Sequence, residues 1–298
     1  MVDFAAIGHV VIDTIIKHDG EWTNAWGPIG CITLAANKLG KSVKAVTKVG
    51  EDISDENINQ LKELGIDLYG MIIKGEKTTR VVNDLRGEER QGKLVDFCEV
   101  IKPVDVIDLP DAVVIDPVVW EIPWDTLTSI SGELIAVDAQ GFVRDHRRTT
   151  NSSSLLKRWS EAGLLKRFRI FKSTEEELWD FSGARDTLSC LEKITLNGAE
   201  VAIATQGKNG ALLVMEEQGF RIPVFEINKI DDMGAGDAFI SGFFCEYLDG
   251  KDPLWCAAMG AAMSASILET LGPQIDASTR IINERAENIF NRIEKIPI

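Results

Sequence analysis

The chain has 298 residues, of which 45% are hydrophobic and 27% are charged, a balance typical of a soluble globular protein. Its 32 basic and 47 acidic residues give a formal net charge of −15, which argues against a nucleic-acid or anionic-membrane partner. Five cysteines without a CxxC pair predict free thiols in a reducing compartment rather than a disulfide framework or a zinc site, so we expect a cytoplasmic protein.

The N-terminal segment does not predict a signal peptide. It lacks a basic segment, and its apolar run is interrupted by His9 and Asp13. A second apolar run, at 253–268, is shorter than a membrane span needs and contains Gly260, so it predicts a buried helix. We therefore expect no membrane partner.

Short apolar runs of strand length alternate with longer helix-like segments along most of the chain. Strands are predicted at 4–12, 43–49, 113–116, 134–138, 168–172, 201–205 and 211–215. Helices are predicted at 33–39, 55–64, 123–129, 174–181, 186–197, 235–248, 253–271 and 278–295. Almost wholly apolar strands followed by helices are typical of a mostly parallel sheet that is covered on both faces, so we predict an α/β fold.

The region 68–100 breaks this alternation. Strand-like runs at 69–73, 79–85 and 93–99 are separated by short turn-like pieces, and no helical pattern lies between them. Consecutive short strands with tight connections predict an antiparallel meander. No linker divides the chain, so we expect a single domain over 1–298 with this β excursion inserted in it.

Several polar residues follow the predicted strands. Asp13 follows the first strand, Asp138 ends another, and Thr205 and Gly207 follow a third. In open α/β sheets, ligands bind beyond the carboxyl ends of the strands. We therefore expect these residues to converge on one site, together with Asp237 at a junction between a loop and a helix.

The segment 231–237 reads Asp-Asp-Met-Gly-Ala-Gly-Asp and leads directly into a helical apolar pattern. Gly234 and Gly236 allow a close backbone approach, and the N-terminus of the following helix attracts an anion. A carboxylate at Asp237 would repel that anion, unless it is a base that takes a proton from a hydroxyl attacking a phosphoryl group. A simple glycine-rich turn before a packed helix is the alternative.

The string Gly234-Ala235-Gly236-Asp237, followed by Ala-Phe-x-x-Gly-Phe, resembles the second signature of the ribokinase/PfkB family of carbohydrate kinases. The resemblance, to the branch of sugar, inositol and nucleoside kinases, implies a ribokinase-like α/β fold: a central, mostly parallel sheet flanked by helices, with a small β lid. It also implies ATP-dependent transfer of the γ-phosphoryl group to a hydroxyl of a small polyol, which could be a sugar, a sugar phosphate, an inositol or a nucleoside. Asp237 would be the base, supported by Gly234, Ala235 and Gly236.

The same resemblance implies an acceptor site near the N-terminus. Asp13 would contact substrate hydroxyls, and Gly27 and Gly30 would hold the acceptor, although Trp26 replaces the family's first glycine and Cys31 its usual asparagine. Arg144, in a strand–turn segment that also resembles the family, would clamp an anionic group of the substrate or nucleotide. A surface salt bridge is an equal alternative for Arg144.

Nucleotide and metal binding are implied farther along the chain. Thr205, Gly207 and Gly210 resemble the family's Thr-x-Gly-x-x-Gly segment that contacts ATP, and a hairpin turn is the alternative. Glu177 matches the glutamate that organises Mg²⁺ near the phosphates, although Thr174 replaces the usual asparagine. Thr174 and Glu177 also have the spacing of a helix capping box.

The lid is expected to come mainly from 68–100 with short N-terminal segments, and lids of this kind can mediate a homodimer. A non-catalytic sugar- or nucleoside-binding protein on a kinase fold is the alternative function, favoured by the departures at Trp26, Cys31 and Thr174. The Gly-Ala-Gly-Asp string argues against it, because a pure binder needs no base beside a phosphate. An NAD-dependent enzyme is excluded because no GxGxxG follows the first strand.

Overall fold

The computed structural model describes residues 2–18, 20–84, 86–87, 91–146, 154–231 and 233–298, without the side chains of 24–25, 91 and 144–146. In these ranges, the strands form sheets of nine, four and two strands. The strands are β1 (Phe4–Ile7), β2 (Ile12–Lys17), β3 (Gly20–Ala25), β4 (Val43–Val46), β5 (Val49–Gly50), β6 (Ile72–Ile73), β7 (Arg80–Asp84), β8 (Gln91–Asp96), β9 (Ala112–Ile115), β10 (Leu134–Asp138), β11 (Ile170–Thr174), β12 (Val201–Thr205), β13 (Ala211–Met215), β14 (Gln218–Ile222) and β15 (Glu294–Ile296).

The large sheet has the strand order β15-β14-β13-β12-β11-β10-β9-β1-β4. Its pairings from β4 through β12 are parallel, and those from β12 through β15 are antiparallel. The interior strands β1 and β9 are completely buried or nearly so, as strands covered on both faces must be. Because the parallel strands share one direction, their carboxyl ends meet at one edge, where the predicted site residues were expected.

Helices cover both faces of this sheet. They are α1 (Gly27–Lys38), α2 (Asp55–Glu63), α3 (Trp124–Ser129), α4 (Gln140–His146), α5 (Leu155–Glu161), α6 (Glu175–Ser182), α7 (Thr187–Leu196), α8 (Ala235–Leu248), α9 (Pro253–Ile267) and α10 (Thr279–Phe290). One core cluster packs α1, α2, α8, α9 and α10 against the sheet, and a second packs α3 to α7 against its other face. No helix among the described residues combines the length and the apolar character that crossing a bilayer would require.

Helices α8 and α9 pack unusually closely. A Cβ added at Gly242 would lie 2.8 Å from Met263 Cγ, and one added at Gly260 would lie 2.7 Å from the carbonyl oxygen of Phe239. Only glycine permits such an approach of two helices. This packing anchors α8, whose N-terminus carries the Gly-Ala-Gly-Asp string.

The four-stranded sheet, with the order β3-β2-β7-β8, takes its strands from two separate parts of the chain. The expected single strand over 4–12 is wrong, because β1 and β2 belong to different sheets. The chain changes sheet after Gly8, where an added Cβ would lie 2.3 Å from the carbonyl oxygen of Asp116. The residues on both sides of this change of sheet are buried without interruption, so the sequence pattern of the two strands resembles that of a single strand.

The expected meander over 68–100 is only partly correct. Strands β7 and β8 form an antiparallel pair, but β7 also runs parallel to β2, and β6 pairs with β5 in the two-stranded sheet. The pattern did not predict β3, β14, β15, α4 or α5 as separate elements. The single-domain assignment and the dimeric lid stay predictions.

Candidate active site

A cavity of about 940 Å³ lies at the carboxyl edge of the parallel strands. Its walls come from the large sheet, from the four-stranded sheet and from the N-terminal ends of α1 and α8. It brings together ten of the residues predicted to form the site: Asp13, Gly27, Glu177, Thr205, Gly207, Gly210, Gly234, Ala235, Gly236 and Asp237. Gly30 is not among the described residues that line it, and the side chain of Arg144 lies outside the described part of the chain.

The Gly-Ala-Gly-Asp string forms the N-terminus of α8. Gly234 has a φ of 75°, and an added Cβ there would lie 2.8 Å from Cys31 Sγ, so both conformation and space require glycine. The helix begins at Ala235, and the N–H of Ala238 donates to the Gly234 carbonyl at 2.8 Å. The first N–H groups of a helix lack helical acceptors and carry the positive end of its dipole, which makes this end of the cavity suited to an anion.

Asp237 lies in the first turn of α8 and lines the cavity. Gln140 Nε2 approaches its Oδ1 at 3.4 Å, and Cys31 lies near enough for the charge of Asp237 to act on its thiol. Burial, followed by the charge of Asp237, raises the pKa of Cys31 well above its ordinary value. Cys31 is therefore a neutral thiol that can donate to the carboxylate.

Three carboxylates converge beneath the α8 N-terminus. Oxygen atoms of Asp116, Asp138 and Asp237 lie within 4.8 Å of one another. Such spacing can suit a metal ion, but the Lys172 ammonium already pairs with Asp138, and the Gln140 amide donates to Asp116 Oδ1 at 2.7 Å. We therefore treat these groups as a hydrogen-bonded charge network.

Lys172 supplies the positive charge of this network. Its side chain is buried in β11, and burial alone would lower its pKa, but the charges of Asp138 and Asp116 outweigh burial and raise it. A Cβ added at Gly236 would lie 2.7 Å from Lys172 Nζ, so the ammonium lies against the N-terminus of α8. A cation and a helix N-terminus thus act on the same part of the cavity.

Asp116 is the carboxylate of the network whose burial is least compensated by hydrogen bonds. It is fully buried, and its Oδ2 has no hydrogen-bond partner in the described structure. Burial, followed by the charges of Asp138 and Asp237, raises its pKa well above the ordinary value. Asp116 therefore favours the protonated form more strongly than an exposed carboxyl does.

One end of the cavity, called the acceptor end because the family resemblance predicts that Asp13 contacts the acceptor, contains Asp13. This residue lies within β2 of the four-stranded sheet rather than at the end of β1, so the expected position after the first strand is wrong. It is 7% exposed, and its Oδ1 accepts a hydrogen bond from Asn83 Nδ2 at 3.1 Å. A carboxylate held in this way can accept hydrogen bonds from the hydroxyls of a polyol.

Gly27 and Gly30 belong to the first turn of α1. Gly27 has a φ of 56°, and an added Cβ would lie 2.8 Å from the N atom of Val11, so it allows two backbone segments to meet at the cavity wall. Gly30 instead packs against the side chain of Trp26. Trp26 and Cys31, the two departures from the family pattern, both line the cavity.

Glu121 braces the wall on the other side of the acceptor end. Its buried carboxylate accepts from the N–H groups of His9 at 3.0 Å, Val118 at 2.7 Å and Val119 at 2.8 Å. It therefore joins the segment after β1 to the segment after β9 through three backbone amides. The preceding residue, Trp120, has a φ of 74°, an uncommon conformation for a bulky residue.

The other end, called the donor end because the resemblance predicts ATP contacts there, combines a backbone turn with a carboxylate. Thr205 ends β12, and the turn over 207–210 connects it to the antiparallel β13, so the hairpin expected as the alternative is present. Glu177 and Thr174 form a capping box: Glu177 Oε2 accepts from the Thr174 N–H at 3.0 Å, and Thr174 Oγ1 accepts from the Glu177 N–H at 3.2 Å. These local roles leave both segments on the cavity wall.

Asp116, Gln140 and Lys172 were not assigned a role from the sequence. A lysine within an otherwise apolar strand is a usable signal, because buried lysines are rare unless they are paired. Asp116 directly follows β9, and Asp138 ends β10, so the position of Asp116 also pointed to this edge. Gln140 had no signal of its own.

Comparisons with known sequences find kinases similar to this chain. Residues 137–280 match the model of the pfkB family carbohydrate kinases. The chain is 25% identical over 283 residues to a cytidine kinase of Thermococcus kodakarensis, covering 91% of this chain and 98% of that protein.

Solved structures show the same fold. The nucleoside kinase of Methanocaldococcus jannaschii superposes with a TM-score of 0.74 at 18% identity, covering 95% of this chain and 98% of that one. The ribokinase of Thermotoga maritima gives a TM-score of 0.72 at 21% identity, covering 97% and 100%. The predicted ribokinase-like α/β fold is confirmed.

Proposed function

We propose that this protein, which has a ribokinase fold and matches the pfkB family carbohydrate kinase model over residues 137–280, transfers the γ-phosphoryl group of ATP to a hydroxyl of a small polyol. The observation that carries the proposal is the position of Asp237, in the first turn of α8 and on the wall of the cavity that Asp13 also lines. A base, an anion-binding helix N-terminus and a hydroxyl-binding carboxylate thus share one cavity.

In the proposed reaction, Asp237 takes the proton of the acceptor hydroxyl as its oxygen attacks the γ-phosphorus. The new P–O bond forms while the bond to the β-phosphate oxygen breaks, and ADP leaves. The N–H groups at the start of α8 and the Lys172 ammonium beside Gly236 would stabilise the negative charge on the transferring group. Asp13 would orient the acceptor, and Thr205, Gly207 and Gly210 would hold the nucleotide.

Glu177 is the residue that would hold Mg²⁺, through the metal's water ligands. Mg²⁺ in phosphoryl-transfer sites usually takes one or two carboxylates together with waters and phosphate oxygens, and Glu177 offers a carboxylate on the cavity wall. The metal would neutralise charge on the phosphates. The capping box orients Glu177, because one of its oxygens is held by the Thr174 N–H.

Nucleosides are the acceptors to test first. The relative that spans 91% of the chain is named a cytidine kinase, and cytidine offers ribose hydroxyls of the kind that a carboxylate such as Asp13 binds. Free sugars, sugar phosphates and inositols complete the panel. Turnover of one class over the others would identify the acceptor.

The test is ADP formation from ATP and Mg²⁺ with each acceptor, using wild type and Asp237→Asn. We expect Asp237→Asn to lower kcat by roughly 10²- to 10⁴-fold with little change in KM, as for the loss of a general base. Asp276→Asn, at an exposed aspartate outside the cavity, should match wild type. Near wild-type turnover of Asp237→Asn would refute the assignment of the base, and acceptor binding without ADP formation by wild type would refute the kinase proposal.

A further inference from the structure

Gln140 joins two carboxylates that belong to different parts of the fold. It begins α4, directly after β10, and its Nε2 lies 2.7 Å from Asp116 Oδ1 and 3.4 Å from Asp237 Oδ1. Its own N–H donates to Asp138 Oδ1 at 3.2 Å, which fixes the start of the helix. One residue therefore contacts all three carboxylates of the network.

The two side-chain contacts differ in strength. The contact to Asp116 is short and strong, whereas 3.4 Å to Asp237 is long for a hydrogen bond. Hydrogen bonds to catalytic groups are often long before the substrate binds and tighten in the reacting complex. The geometry is thus that of an amide anchored on Asp116 whose Nε2 also approaches Asp237 Oδ1.

A neutral amide suits this position better than a cation would. Asp116 and Asp237 repel each other, and a donor between them reduces the cost of their proximity. A lysine or an arginine there would form an ion pair with Asp237 and reduce its affinity for a proton. The carboxamide orients a carboxylate without removing its basicity.

We propose that Gln140 is a positioning residue for the base: its carboxamide orients the Asp237 carboxylate and separates it from Asp116. The role of Asp237 as base rests on the proposed function, but the contacts of Gln140 do not. The other titratable groups that act on Asp237 or on its neighbours come from every element packed around it: Asp13 in β2, Cys31 in α1, Asp116 after β9, Asp138 in β10, Lys172 in β11 and Glu177 in α6.

The kinetic test uses Gln140→Met, which keeps the length of the side chain and removes both N–H donors. We expect kcat to fall about 10- to 100-fold, the size of one hydrogen bond to a charged group, with the KM for ATP within twofold of wild type. The acidic limb of the pH profile of kcat/KM should move to higher pH by about one unit, because a carboxylate that loses a donor binds its proton more tightly. Gln140→Glu should move the acidic limb to still higher pH. Gln60→Met, on α2 and outside the cavity, is the matched control and should change neither.

A second measurement needs no acceptor. In protein labelled with ¹³C at the aspartate carboxyls, the resonance of Asp237 is assigned by its disappearance in Asp237→Asn and followed against pH. We expect the titration midpoint of Asp237 to rise in Gln140→Met. In the double variant Gln140→Met/Asp116→Asn it should return at least halfway to the wild-type value, because the negative charge of Asp116, which repels that of Asp237, has been removed. If Gln140→Met unfolds more easily than Gln60→Met, the same titration in Gln140→Glu decides the question.

An unchanged titration midpoint of Asp237 in these variants would overturn the proposal. So would a kcat within about twofold of wild type together with an acidic limb within about 0.2 pH unit of wild type, margins that are roughly the resolution of such kinetics. These outcomes are distinct from failure of the proposed function. An inactive Asp237→Asn beside a fully active Gln140→Met would refute only the role of Gln140. A shifted Asp237 resonance in a protein that phosphorylates no acceptor would support the role of Gln140 and refute the kinase reaction.

Discussion

The two ends of the cavity differ in the kind of group that lines them. At the proposed donor end, the groups that would face the nucleotide are mostly backbone: the N-terminus of α8 at 234–237 and the turn at 207–210, both rich in glycine. At the acceptor end, side chains dominate, with Asp13 held by Asn83 and the wall held by Glu121. Between them lies the charged network of Lys172 and its carboxylates.

Backbone groups are the same in every sequence, whereas side chains are not. A donor end made of N–H groups can bind phosphates whatever the neighbouring residues are, provided that glycines give access. An acceptor end made of side chains can change its ligand by substitution. Variants at the two ends should therefore separate the KM for ATP from the KM for the acceptor.

The largest effect is expected where the two ends meet. Lys172→Met would leave the buried Asp138 without its cation, and breaking a buried ion pair on one side costs about 3–5 kcal/mol of unfolding free energy. Denaturant unfolding measures this loss. Lys172→Met/Asp138→Asn should recover much of it, and Lys157→Met, at an exposed lysine, should stay within about 0.5 kcal/mol of wild type. Equal stability of Lys172→Met and wild type would show that Asp138 is not charged in the folded protein.

Asp13→Asn should act on the acceptor alone. Loss of the charge weakens hydrogen bonds to substrate hydroxyls, and we expect the acceptor KM to rise about 10- to 100-fold while the KM for ATP stays within twofold. The contact with Asn83 can persist, because an amide oxygen also accepts. Steady-state kinetics with each substrate varied in turn provide the measurement. Parallel increases in both KM values would contradict the division of the cavity into two ends.

Gly210→Ala is the corresponding test of the donor end. Gly210 has a φ of 88°, and an added Cβ would lie 2.0 Å from the carbonyl oxygen of Ile222, so the turn must move. We expect the KM for ATP to rise by about 3- to 10-fold and the acceptor KM to remain unchanged, which corresponds to a loss of about 1 kcal/mol. Gly207→Ala is the comparison, since Gly207 also has a positive φ but nothing lies within 4 Å of its added Cβ. A larger effect at Gly207 than at Gly210 would refute the steric explanation.

The smallest effect concerns the pH dependence of stability. The pKa of Asp116 is raised in the folded protein, so the folded state retains a proton that the unfolded chain releases as pH rises through the ordinary carboxyl range near 4. Stability is therefore lost as pH increases from that range toward the raised pKa. An asparagine side chain cannot ionise, so Asp116→Asn should raise the Tm by about 2–4 °C at pH 7 and by less at pH 4. Calorimetry at both pH values is the measurement, and an equal Tm difference at the two would contradict it.

Periodicity predicted the α/β fold, which is confirmed, and the motif predicted a resemblance to the pfkB family carbohydrate kinases, whose model matches residues 137–280. The predicted strand bounds were correct where turn residues end the apolar run, as in β10 and β13. They were wrong where the apolar run continues across a change of sheet, as at Gly8. The roles of the predicted site residues stay predictions, although the structure brings most of them to one cavity. Thr174 and Glu177 have the spacing of a capping box, and that capping box is present.

The sequence by itself determined the chemistry that depends on consecutive residues. Gly234 to Asp237 place an anion-binding helix N-terminus and a carboxylate within one turn, so a local string is enough to predict them. Only the tertiary structure decided which distant groups act on Asp237. Asp116, Gln140 and Lys172 come from different elements, and the parallel strands and helix α4 bring them within hydrogen-bonding or ion-pairing reach of its network. Such contacts depend on strand order and register, which no local pattern encodes.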